Sequence, residues 1–122
     1  MGKVIIFISL FLCYIIYSVV VYTKGTEKNV SYSLTDLEKI NSGIELFQQH
    51  NCISCHQLYG LGGYLGPELT TAYTDKYRGE AYMRAFLKNG GPRMPKFDLS
   101  EEEIDAIISW LKFVDSTAVT YK

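Results

Sequence analysis

Several things are scarce or missing in this 122-residue chain, and each omission narrows the problem. There is no excess of basic residues: 12 Lys and Arg stand against 13 Asp and Glu, a formal net charge of −1, which argues against nucleic acid as a partner. No internal repeat and no stretch of strand alternation occurs, so the folded part is expected to be all-α. Cysteine is rare. Of the three, Cys13 lies inside an apolar run, which leaves Cys52 and Cys55 as a lone pair of thiols.

Residues 4–23, VIIFISLFLCYIIYSVVVYT, lack any charge, glycine or proline. At about 1.5 Å per residue a helix of that length crosses the roughly 30 Å hydrocarbon core. The run ends in VVVYTKG without the small-x-small pattern of a cleaved secretory signal, so it is read as an uncleaved anchor over residues 1–24. The residues before Cys13, LFL, lack the small side chain that lipid attachment would want, so Cys13 is read as an apolar filler. Lys3 on one side faces Lys24 and Lys28 on the other, which leaves orientation to the downstream chemistry. Tyr14, Tyr17 and Tyr22 recur near one helix face, as interfacial aromatics or as contacts for partner helices.

Residues 25–34 are polar and aperiodic and are expected to be a linker, with a domain over 35–122. Thr35 and Glu38 have capping-box spacing, and Leu37, Ile40, Ile44 and Phe47 follow at helical intervals, predicting a helix over about 36–50. Residues 57–75 hold four glycines and Pro67 and are read as a loop. A second helix is expected over 79–88, with Tyr82, Ala85 and Phe86 on its apolar side and Asn-Gly-Gly-Pro after it as a stop. Ser100 and Glu103 predict another capped helix to about Ser116, whose buried stripe is Ile104, Ile107, Ile108, Leu111 and Val114. Six basic residues between Lys76 and Lys96, against Glu80 alone, precede five acids between Asp98 and Asp105; they are either offsetting solvated faces or a docking surface. Three short helices make a marginal core, so something large and apolar is needed to fill the middle.

NCISCH, residues 51–56, supplies it. Cys52, Cys55 and His56 fit the CxxCH pattern, in which two thiols bond the vinyl groups of a haem and the following imidazole ligates its iron. Thiols three apart sit one helical turn from each other and reach the same porphyrin edge. A zinc site would need two more ligands, and beyond His50 and the carboxylates none remains; a thioredoxin-like dithiol would need a βαβ setting that is absent. His50 is read as a surface residue at a helix end. For the opposite axial position the candidates are Met83, inside a helical pattern and more simply a packing residue, and Met94 in GGPRMPKF, where flanking prolines present a thioether; Met94 is preferred. His and Met together give a low-spin, six-coordinate iron that exchanges electrons without binding substrate. No catalytic residue is expected on this chain.

The segment after His56 resembles small soluble cytochromes c. By that resemblance the Pro67 carbonyl in LGPEL accepts the His56 ring N–H, and Gly43 and Phe47 in GIELF lie against Trp110. Together, the anchor, CISCHQLYGLGGYLGPEL, YRGEAYMRAFLK, RMPKF and EEEIDAIISWLKFVD resemble one family more closely: the membrane-anchored cytochrome c subunit of bacterial nitric oxide reductases. Its more specific marks are the run Gly60 to Leu69 with Arg78 and Gly79. The resemblance implies a class I monohaem cytochrome c domain carrying one covalent haem c. It implies a large integral membrane partner whose haem b receives the electrons, and a soluble donor such as a cytochrome or cupredoxin. It also implies a bacterial inner-membrane location with the N-terminus cytoplasmic and the haem domain periplasmic. A calcium at the subunit interface, with Gly62 and Tyr64 contributing by position, belongs to the same set of expectations. Leu61, where the family commonly has Glu, and Gly63 and Gly66 in place of alanines, depart from the pattern and bear on the partner. The alternatives are a tethered shuttle, a subunit feeding a haem-copper oxygen reductase, and a haem sensor or peroxidase with an open coordination site.

Overall fold

The computed structural model describes residues 2–25 and 32–118, which fall into two compact units, Met1–Val30 and Ser31–Lys122. Most of the expected linker and the last four residues, part of the expected frayed terminus, lie outside the described residues.

In the first unit, α1 (Gly2–Val20) continues into a π turn over Val21–Gly25, and no residue of α1 is buried. Gly2–Lys24 has a mean hydropathy of 2.8 over its most apolar window, so it is long and apolar enough to cross a membrane. The chain carries a membrane-anchoring helix.

The second unit is built on α2 (Leu34–Gln49), α3 (Gly79–Asn89) and α4 (Glu101–Thr117). The start of α2 differs from expectation. The capping box is Ser33 with Asp36, not Thr35 with Glu38: Ser33 Oγ accepts from the Asp36 N–H at 3.2 Å and Asp36 accepts from the Ser33 N–H at 3.3 Å. Both sequences have the spacing of a cap, but Ser33 stands in extended backbone with φ −68° and ψ 160°, as an N-cap must, while Thr35 is already helical. Ser33 and Leu34 therefore belong to the domain and not to the linker. So does Tyr32, whose ring packs on Phe113 at 5.5 Å and whose hydroxyl bonds Ser116 at 2.9 Å.

Helix α4 starts where expected, with Ser100 and Glu103 exchanging cap hydrogen bonds of 3.2 and 2.8 Å. Three acids in its first turn complement the positive end of the helix dipole. Its stripe of Ile104, Ile107, Ile108, Leu111 and Val114 is buried, along with Ala106, and meets Ile40, Leu46 and Phe47 of α2. The two helices approach closely at Gly43. A Cβ there would collide with the Ala106 carbonyl and come within 2.8 Å of the Trp110 Cβ, so a larger residue would force the pair apart.

Helix α3 buries Met83 and Leu87 against α4; Tyr82 and Ala85 are exposed and Phe86 is only half-buried, contrary to the expected apolar side. Tyr82 and Phe86 stack on each other at 4.6 Å and face the cavity described below. The helix thus has two apolar faces, and sequence periodicity registered the one that does not enter the core. The basic and acidic stretches also meet. Arg84 bonds Asp105 at 2.6 Å and Glu80 at 3.2 Å, with Glu101 at 3.7 Å, and Lys88 pairs with Glu101. Asp105 first, then Glu80, hold the Arg84 pKa above its ordinary value. These charges tie α3 to α4, while Arg93 and Lys96 form no ion pair among the described residues.

The glycine-rich stretch is more ordered than a plain loop. Gln57–Leu58 (β1) and Leu61–Gly62 (β2) form a two-residue antiparallel ladder across a turn in which Tyr59 and Gly60 both have positive φ. Tyr59 N–H donates to Thr70 at 2.6 Å, and its hydroxyl meets Thr117 at 2.6 Å. Ala72 is buried and Leu69 and Tyr73 pack on the core, so the segment expected to be unpacked closes one side of the domain.

Candidate functional site

The end of α2 sets up the thiol pair. His50 caps the helix, Asn51 takes a left-handed conformation with φ 51°, and Cys52–Ser54 form one 3₁₀ turn. The Cys52 carbonyl accepts the N–H groups of Cys55 at 3.2 Å and His56 at 2.9 Å. Both thiols and the imidazole are thereby tied to a single turn. Burial pushes the Cys52 thiol pKa up, and the neighbouring Cys55 adds to the rise. Cys52 is thus held away from the thiolate form that a nucleophilic thiol needs.

His56 is fixed from behind. Its Nδ1 lies 2.8 Å from the Pro67 carbonyl oxygen. A carbonyl only accepts, so Nδ1 carries the proton and Nε2 keeps the lone pair that a metal would use. The loop that brings Pro67 there runs along the thiol turn: Gly63 N–H bonds Ile53 O at 2.9 Å, Gly66 N–H bonds Cys55 O at 2.8 Å, and Leu69 N–H bonds Gln57 O at 2.9 Å. Gly66 passes so near the imidazole that a Cβ would sit 2.5 Å from its Cε1 and 2.6 Å from its Nδ1.

These groups open onto a cavity of about 430 Å³. Cys52, Cys55 and His56 line one part of it, Met83 and Met94 another, with Phe47, Leu69 and Ile107 among the apolar walls. Met83 is buried within α3; Met94 sits in a short turn closed by the Gly91 N–H to Met94 O bond at 2.8 Å. His50, expected on the surface, is half-buried, packs edge-on to Phe97 at 5.0 Å and also lines the cavity. Sequence periodicity could not have found it, because its role comes from a loop more than forty residues away.

Gly62 and Tyr64 lie outside this cavity. Gly62 is in β2, and the Tyr64 side chain is 87% exposed. No group of three or more His, Cys, Asp or Glu able to hold a metal ion occurs among the described residues. Around them Leu61 and Leu65 are exposed as well.

Two thiols and an oriented imidazole among aliphatic and aromatic walls suit a flat, apolar ring system. The bulk of Gly66 is withheld where the imidazole needs room, and the walls are aliphatic and aromatic. A helical domain with such a site is a c-type cytochrome, whose cofactor is haem c.

The chain belongs to the family described as cytochrome c oxidase, cbb3-type, subunit III, whose model matches residues 38–111, from within α2 to within α4. It is similar to the C subunit of nitric oxide reductase from Stutzerimonas stutzeri, 34% identical over 85 residues that cover 62% of this chain and 58% of that one. The protein of the same name from Halomonas halodenitrificans is 28% identical over 91 residues, covering 64% and 60%. Cytochrome c oxidase subunit 2 of Alkalihalophilus pseudofirmus is 33% identical over 85 residues, 59% of this chain and 25% of that protein. The matches thus span about three-fifths of the length of the two nitric oxide reductase proteins.

Proposed function

We propose that this chain is the electron-entry subunit of a nitric oxide reductase: a membrane-anchored cytochrome that accepts electrons from a soluble donor and passes them to the haem b of a large membrane subunit reducing NO to N2O. One haem c would be held by thioether bonds from Cys52 and Cys55, with His56 and Met94 as axial ligands and the Pro67 carbonyl orienting His56. The group supplies one-electron Fe(III)/Fe(II) chemistry, and two protein ligands raise its potential and close it to substrate. Everything the chain's own residues do is holding and orienting: the thiol turn fixes one edge, Pro67 fixes the imidazole, and the walls exclude water. The observation that carries this reading is the 2.8 Å approach of His56 Nδ1 to the Pro67 carbonyl in a cavity that Cys52, Cys55 and Met94 share.

Anchor, linker and domain divide near residues 24 and 32 in this reading. Haem attachment of this kind occurs outside the bacterial cytoplasm, so the domain faces the periplasm, the N-terminus is cytoplasmic and the anchor lies in the inner membrane. The donor is a small cytochrome or cupredoxin. Gly62 and Tyr64 would offer carbonyl oxygens to a calcium at the subunit interface; since calcium takes six to eight oxygens, the partner must supply most of them.

Purification in mild detergent tests the proposal. A stoichiometric, multi-span, haem-bearing subunit that consumes NO is the expected companion. The oxidase relative and the family description favour one other reading, a subunit feeding a haem-copper oxygen reductase, and oxygen consumption without NO consumption would select it. Carbon monoxide binding to the reduced cytochrome alone would overturn both, because a six-coordinate iron has no free position.

A further inference from the structure

The two sides of the cavity are held in different ways. On the imidazole side the backbone is hydrogen-bonded repeatedly: Gly63, Gly66 and Leu69 donate to Ile53, Cys55 and Gln57, and His56 is bonded to Pro67. The segment 91–99, which carries Met94, has no such ties. Among the described residues its hydrogen bonds are the internal pair between Gly91 and Met94, at 2.8 and 3.2 Å, and neither Arg93 nor Lys96 forms an ion pair. Packing holds it instead. Gly91 lies against the Phe86 ring, where a Cβ would stand 2.7 Å from Cε1, and Met94 and Leu99 pack on the core. Phe97 meets His50 edge-on, with ring centroids 5.0 Å apart and planes at 60°.

His50 is committed to that contact. Among the described residues its imidazole makes no hydrogen bond and no ion pair, although both ring nitrogens are able to take part in one. It is half-buried, lines the cavity, and caps α2 through its backbone N–H. Helix α2 is itself fastened to the core by Leu46 and Phe47. His50 therefore stands on the firmly held side and Phe97 on the side held by packing. Pro95 lies between Met94 and Phe97 and fixes its own φ, so a displacement of Phe97 carries Met94 with it.

We propose that His50 is a positioning residue for Met94: its edge contact with Phe97 latches segment 91–99 to the end of α2 and so sets how readily the Met94 thioether leaves the haem iron. The inference rests on the haem reading above and deepens it by naming what governs the sixth ligand. Regions with few hydrogen bonds open most easily, and 91–99 is such a region. A ring pair of this kind contributes modestly, so its loss should shift the balance between closed and open segment by roughly two- to tenfold. The His56 side, tied by its own backbone bonds, does not depend on the latch.

The test uses the full-length holoprotein in detergent, with potassium cyanide as the probe of the ferric form. Cyanide binds only where the thioether has left: one iron–carbon bond replaces one iron–sulfur bond, and no electron moves. His50→Ala and Phe97→Ala are each expected to tighten cyanide binding roughly two- to tenfold. His50→Phe keeps a ring and should stay within about twofold of the parent. The double alanine variant should exceed neither single by more than about twofold, because each removes the same contact. Val114→Ala controls for general loosening: Val114 is fully buried but does not line the cavity, so stability should fall without the cyanide response. The proposal is overturned if His50→Ala binds cyanide as the parent does, if His50→Phe behaves as His50→Ala, if the two single effects multiply in the double variant, or if Val114→Ala tightens binding as much. Met94→Ala tests the reading beneath: an optical spectrum identical to the parent's would remove Met94 as the ligand and leave the latch with nothing to position.

Discussion

Replacing Gly66 by alanine isolates the contact between the loop and the imidazole. The new Cβ would lie 2.5, 2.6 and 2.9 Å from Cε1, Nδ1 and Nε2 of His56, all far inside van der Waals contact, so it presses on the ring as a whole. The loop cannot retreat easily, because the Gly66 N–H is tied to the Cys55 carbonyl at 2.8 Å. The ring must move, and with it goes the 2.8 Å bond from Nδ1 to Pro67. Overpacking costs about 1–3 kcal/mol and a lost hydrogen bond about 0.5–1.5 kcal/mol, so the variant should be about 2–4 kcal/mol less stable. Gly60 is the control: it has φ 76° but open space around it, so Gly60→Ala should cost only the backbone strain, about 1 kcal/mol. Denaturant unfolding followed by fluorescence of the single tryptophan, Trp110, gives both numbers. The visible spectrum of the holoprotein reports the imidazole separately and should change for Gly66 alone. If Gly66→Ala unfolds at the same denaturant concentration as the parent with an unaltered spectrum, the account of this wall is wrong.

Other consequences follow from the packing and the charges. Gly43→Ala should cost about 1–3 kcal/mol, because the obstruction is the Ala106 backbone and not a flexible side-chain tip; a denaturation midpoint within error of the parent would contradict the α2–α4 approach. Ile107→Ala removes a buried wall that core and cavity share, and a loss of about 2–5 kcal/mol is expected in the same assay. The Arg78 guanidinium, with the Tyr77 N–H, holds the Asp75 pKa below its ordinary 3.8. A depressed carboxylate stabilises the fold above that ordinary value and loses its contribution as pH falls through the depressed one, so acid unfolding below about pH 4 should become shallower in Asp75→Asn. An unchanged acid limb would remove Asp75 from that window.

Legibility varied from residue to residue for physical reasons. The stripe on α4 and its Ser100 cap were readable because both depend on neighbours within one or two turns. The start of α2 was misplaced by two residues because two overlapping pairs had the spacing of a cap, and only the extended backbone at Ser33 chose between them. The faces of α3 were confused because both are apolar, one toward α4 and one toward the cavity. His50 went unrecognised as a wall residue because Phe97, its packing partner, is distant in the chain.

By itself, the order of residues determined the apolar anchor and the helical class of the domain and singled out Cys52, Cys55 and His56, since each rests on periodicity or spacing within a few turns. Only the tertiary structure brought the Pro67 carbonyl to 2.8 Å from His56, put Met83 and Met94 on one cavity and spent Arg84 and Lys88 on α4. Those outcomes depend on segments ten to forty residues apart meeting at hydrogen-bond distance, and local patterns carry no record of such meetings.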